Sequence, residues 1–140
     1  MSKKARARML ASSISVSPRV NAMMLKSALI YTWLLSHADD QGRLPFNPAT
    51  LKGIICPLRV DISEQDISCA LAEMEERGLV ETYTPEDFTW SPVHELLQIK
   101  DWWDYQHLRD PQPSKYPPPR GWRDKVGSQQ RDERGRYIRD

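Results

Sequence analysis

Between Ile62 and Ile99 the chain changes its hydrophobic period once, from helical spacing to strand alternation, and this limits the folds open to it. Ser63 followed three residues later by Asp66 resembles a capping box, the start signal of a helix. Ile67, Ala70, Leu71 and Met74 then fall on one helical face. Gly78 breaks the helix, and Leu79-Val80-Glu81-Thr82-Tyr83 has strand composition. Pro85 and Pro92 bracket a loop holding Phe88 and Trp90, and His94 to Ile99 supplies a returning strand. A helix feeding straight into a hairpin, with more helices upstream, predicts an α+β winged helix-turn-helix: three helices and a β-hairpin wing.

The upstream segments fit that outline. Ser17-Pro18 is a good helix entry, because Ser caps and Pro suits the first turn; Asn21 is a rival cap. The helix that follows carries Met24, Ala28, Tyr31 and Leu35 on one row, with Met23, Ile30, Trp33 and Leu34 beside it. So broad an apolar face predicts a core helix. His37-Ala38-Asp39-Asp40-Gln41-Gly42 ends it, and Arg43 to Phe46 allows only a brief strand. Asn47-Pro48 repeats the cap-plus-Pro entry for a second helix, which Pro57 stops after about Cys56. Beyond Ile99, the run Asp101 to Leu108 is a short aromatic turn or helix, in which Trp102 or Trp103 is expected to close the hairpin end of the core. The expected organisation is a flexible basic arm over 1–16, a winged-helix domain over 17–108, and a Pro-rich, then charged, disordered tail over 109–140. Five prolines within 111–119 favour an extended polyproline-like start to that tail.

A net charge of +1 conceals an acidic body with a basic arm. Residues 1–20 hold five bases and no acid, whereas residues 21–100 hold six bases and twelve acids. Such an arm contacts phosphates in some proteins and only aids solubility in others. No apolar run is long enough to span a bilayer, and no apolar stretch of signal-peptide type follows the basic start. Cys56 and Cys69 lack metal-type spacing and read as reduced thiols, which with the missing leader suggests the cytoplasm.

Enzyme signatures are missing: there is no Gly-rich phosphate loop, no GxSxG and no HExxH. His37, Asp39 and Asp40 read better as a helix-ending turn than as a metal or acid/base cluster. The expectation is therefore no catalytic residue, metal, cofactor or small-molecule substrate, and no membrane partner.

The third helix carries Glu64, Asp66, Glu73, Glu75 and Glu76 against Arg77, which disfavours ordinary attraction to phosphates. Opposite its apolar face, however, Gln65, Ser68, Cys69 and Ala72 form a small uncharged stripe, and Gln and Ser can bond base edges. The candidate DNA contacts are Gln65 and Ser68 for bases, with Lys3, Lys4, Arg6, Arg8, Arg19, Lys52 and Arg59 for phosphates. The candidate protein-partner residues are Cys69 and Ala72 on the stripe, with Trp90, Tyr116 and Trp122. Trp90, Trp102, Trp103, Tyr105 and Tyr116 could also stack bases, while the Pro/Arg/aromatic tail around Tyr116 and Trp122 could dock on a partner that reads polyproline.

Four segments carry a family resemblance. Trp33-Leu34-Leu35-Ser36-His37-Ala38-Asp39-Asp40-Gln41-Gly42-Arg43 looks like a W-L-x-x-H-A-D-D-x-G-R segment. Leu71 to Tyr83 and Ile99 to Gln106 agree in order and spacing, and Pro113-Ser114-Lys115-Tyr116-Pro117 resembles P-S-x-Y-P. As a set, covering about residues 10–118, they resemble the N-terminal domains of phage replication-initiation (replisome organiser) proteins. The resemblance implies a winged-helix domain that binds DNA or organises replication proteins, and it supplies no catalytic residues. Family members often carry a second domain behind the winged helix, whereas here a charged tail follows. The leading expectation is a phage-type DNA-binding protein of replication initiation or its regulation. The rival is a protein-interaction module, a replisome or host-factor adaptor that could self-associate.

Overall fold

The computed structural model describes residues 7–85 and 95–127. A single 3-10 turn, Ser12–Val16, precedes the helices. In chain order there follow α1 (Pro18–Asn21), α2 (Leu25–His37), β1 (Arg43–Pro45), α3 (Pro48–Ile55), α4 (Glu64–Glu76), β2 (Val80–Tyr83), β3 (Leu96–Ile99) and α5 (Trp102–Tyr105). The three strands form one antiparallel sheet in the order β1-β3-β2. This is an α+β architecture compatible with a winged helix.

Local sequence chemistry sets most of the helix starts. Asn47 accepts a hydrogen bond from Thr50 N–H at the entry to α3, with Pro48 in the first turn. Ser63 and Asp66 form a complete capping box on α4. At its far end Gly78 takes φ +71, a conformation most residues avoid. Ile67, Ala70, Leu71 and Met74 are buried on the inner face of α4. Each large apolar side chain so buried contributes about 1.5–3 kcal/mol. Facing them are Ile30 and Leu34 of α2, Leu51 of α3, and Leu97 and Ile99 of β3, all at most 1% exposed.

The first expected helix is in fact two. Ser17 caps α1, receiving Val20 N–H, but the backbone leaves the helix and Met24, at φ −61 and ψ 153, precedes α2 as an extended residue. The Asn21 amide is not a cap: it donates to the carbonyls of Ile14, Ser15 and Ser17 and ties the break to the turn before it. This interruption turns Met23 into the core and leaves Met24 68% exposed. Placing Met24 on the core row is thereby corrected.

Trp102 is 1% exposed and closes the end of the sheet, as expected. Its indole N–H donates to Asp40 C=O at 2.9 Å. Gly42 sits at φ +82, and a Cβ there would lie 2.7 Å from the Trp102 ring, so only glycine fits.

The two ends of the chain depart from the expectation. Residues 109–127 are not a disordered tail: they form a strap across the sheet. Alternation along the strands places Arg43, Pro45, Leu96, Gln98, Glu81 and Tyr83 on the face opposite the core. The strap binds that face, where Arg43 donates to Tyr116 C=O and pairs with Asp124, and the Tyr83 hydroxyl donates to Pro117 C=O. All four residues of β3 are consequently buried, on both faces of the sheet. Composition suggested disorder because the strap is poor in aliphatics; its docking instead rests on polar groups far away in sequence. Residues 128–140 lie outside the described residues. In the arm, likewise, the 3-10 turn and bonds from Arg8 and Met9 tie residues 8–16 to the body, while residues 1–6 lie outside the described residues.

Candidate nucleic-acid interface

On α4 the outer face is built as its spacing predicts. Burial of Ile67, Ala70, Leu71 and Met74 forces Gln65, Ser68, Cys69 and Ala72 outward, and all four are exposed. The Gln65 amide donates to Cys69 Sγ at 3.6 Å, one turn along the stripe. Acids at both ends of the helix are engaged. Asp66 accepts Ser63 N–H and pairs with Lys26 at 3.2 Å, and these hold its carboxyl below the usual range. In the penultimate turn Glu75 accepts a hydrogen bond from the Thr82 hydroxyl. The N-terminal half thus presents small neutral side chains rather than free carboxylates on its central stripe.

The cations around it are largely committed. Arg59 makes a two-pronged pair with Asp61 in the α3–α4 turn, which holds the Asp61 carboxyl down and pushes the guanidinium up. Lys52 donates to the carbonyls of Cys56 and Arg59, satisfying the C-terminal end of α3 without meeting a carboxylate there. Arg19 bonds Gly78 C=O and Asp101. Both members of each Arg59 and Arg19 pair stay substantially exposed, at 44% or more, so phosphate can compete for these arginines.

Arg8 is different. Its side chain is 5% exposed, pairs with Asp40 at 2.8 Å, donates to Ala38 C=O, and lies over the Trp102 ring. It holds the arm onto the fold, and its expected phosphate contact is corrected to a structural one. Tyr116 and Trp122, expected to face a partner, are half-buried within the strap, and Trp122 packs against the core. Lys3, Lys4, Arg6 and Trp90 lie outside the described residues.

Two features escaped sequence reading. Leu58 and Val60 flank Arg59 in the turn before α4 and are 91% and fully exposed. A single turn has no periodicity to reveal which way such residues point. The second is the use of the turn 39–43. Asp39 accepts from Gln41 N–H, Arg43 N–H and the Ser114 hydroxyl. Asp40 accepts from Gln112 N–H, while the Gln41 amide donates to the carbonyls of Gln112 and Lys125 and accepts Lys125 N–H. Two of the four segments behind the family resemblance, 33–43 and 113–117, therefore touch. Among the described residues no group of His, Cys, Asp and Glu is arranged to hold a metal, and no helix is long and apolar enough to cross a membrane. Protein-family models, curated proteins and solved structures were each compared with the chain, and none matches it.

Proposed function

We propose that this chain is a phage-type winged-helix protein that binds DNA through the outer face of α4, in replication initiation or its regulation. One observation carries the reading: a helix docked on its inner face holds Gln65 and Ser68 outward in its N-terminal half, free of competing carboxylates on that stripe. Helix α3, the turn and α4 act as the helix-turn-helix, and the paired strands β2 and β3 belong to the wing. Gln65 and Ser68 reach base edges, and Lys52, Arg59 and Arg19, with Lys3, Lys4 and Arg6 of the arm, meet phosphates. The resemblance to replisome-organiser domains supports the replication role.

Because the body is acidic, the basic arm supplies much of the attraction. Removing residues 1–6 is expected to weaken duplex binding at least tenfold at low salt and to flatten its salt dependence, as measured by gel-shift titration at two salt concentrations. Equal affinity and slope with and without the arm would contradict this division of labour.

A second reading has its own observation. Leu58 and Val60 stand exposed in the turn that leads into α4, and large apolar side chains left in solvent suit a protein partner or a second copy. It predicts a concentration-dependent mass in sedimentation that Leu58→Ser with Val60→Ser abolishes. A strict monomer at all concentrations removes self-association.

A further inference from the structure

The arm does more than cross the body, since a pocket of about 370 Å³ lies between it and the helices behind it. Met9, Leu10 and Ile14 form its outer wall, and Val20, Leu35 and Leu79 line it from the body. The wall is held in place. Gln106, 2% exposed, grips Met9 through both its amide oxygen and its amide nitrogen, at 2.9 and 2.7 Å. Arg8 anchors the preceding residue through Asp40 and Ala38 C=O.

Tyr31 lines this pocket and is 8% exposed, yet no group among the described residues hydrogen-bonds its hydroxyl. The hydroxyl is not among the enclosed unpaired polar atoms, so it meets water at the pocket wall and can exchange that water for the acceptor of a bound molecule. The charge near it is balanced: Arg19, also on the pocket wall, bonds Gly78 C=O and Asp101. The other lining residues are uncharged and mostly apolar, so the cavity favours a neutral occupant. Its volume falls at the small end of the range for ligand pockets, about 300–1,000 Å³.

We infer that this pocket is a binding site for a small, neutral, mainly apolar molecule whose single hydrogen-bond acceptor meets the Tyr31 hydroxyl. Burial pushes that hydroxyl up to about 12, so at neutral pH it stays protonated and donates. The apolar walls desolvate the rest of the molecule, and the Gln106 clamp keeps the arm over it. The ligand site is independent of whether α4 meets DNA.

The test uses two probes of nearly the same shape on the full chain: acetophenone, which carries a carbonyl acceptor, and α-methylstyrene, which does not. Methyl-region NMR titration should give saturable shifts at Met9, Leu10 and Leu35 with both. Acetophenone should lose about 3- to 10-fold in affinity in Tyr31→Phe, the worth of one net hydrogen bond, while α-methylstyrene is unchanged. Ser13→Trp, at an exposed position on the pocket wall, should abolish the shifts from both probes without unfolding the chain. Absence of saturable shifts with acetophenone would overturn the inference. So would equal losses for the two probes in Tyr31→Phe, or unchanged binding in Ser13→Trp.

Discussion

The Arg43 guanidinium, with no exposed side-chain surface, lies between Gln98 of the central strand and Asp124 of the strap. A charge so placed is costly unless matched, and Asp124, the Gln98 amide oxygen and Tyr116 C=O match it together. Asp124→Ala leaves it without a carboxylate and should cost about 3 kcal/mol, the low end for a buried pair because Asp124 is a quarter exposed. Combining Arg43→Met with Asp124→Leu should recover part of that loss, and urea denaturation of the three proteins reads the difference. At Gly42 the constraint is steric. Gly42→Ala puts a Cβ against Trp102 at a φ that L-residues avoid and should destabilise by at least about 2 kcal/mol. Asp66 shows the electrostatic case. Its carboxyl titrates lower in the fold than in the unfolded chain, so its contribution is present above the unfolded value of about 3.9 and is lost as the pH falls through it and below. Asp66→Asn should accordingly flatten the acid limb of a stability–pH curve, and an unchanged limb would rule out this role.

At the level of elements, α4 was the most legible part of the chain. Its cap, inner face and exposed stripe all depend on residues within one or two turns of each other, and Ser63, Asp66, Leu71 and Gln65 stand where spacing puts them. Ser63→Ala removes one arm of the capping box and should cost about 1 kcal/mol, again by urea denaturation. Helix α2 was less legible, because its start depends on Asn21 reaching back to three carbonyls, and apolar periodicity ran on through the break at Met24. The strap was illegible for a related reason. Ser114, Gln112 and Lys125 look like solvated residues until Asp39, Asp40 and Gln41 are brought beside them by the turn before β1. The same distance effect misassigned Arg8: basic arms are usually solvated, but this side chain found Asp40 and the Trp102 ring.

On the scale of the whole molecule, the strap makes the sheet a middle layer, with the α2–α4 core on one face and residues 109–127 on the other. Ending the chain after Leu108 would strip Arg43 of its carboxylate and the Tyr83 hydroxyl of its acceptor, Pro117 C=O. The melting temperature should fall by about 10 °C or more, measurable by circular dichroism. The molecule then has two surfaces: a strapped sheet that is structural, and an exposed α4 face to which the proposed function assigns DNA. The most direct test of that claim is fluorescence anisotropy of a labelled DNA duplex with the full chain and with Gln65→Ala combined with Ser68→Ala. Both changes lie on the solvent face, so stability should move by less than about 0.5 kcal/mol. The account predicts saturable low-salt binding that weakens steeply with added salt, and a loss of about tenfold or more in the double variant. No binding at low salt to duplex or single strand, or equal binding by the two proteins, would contradict it.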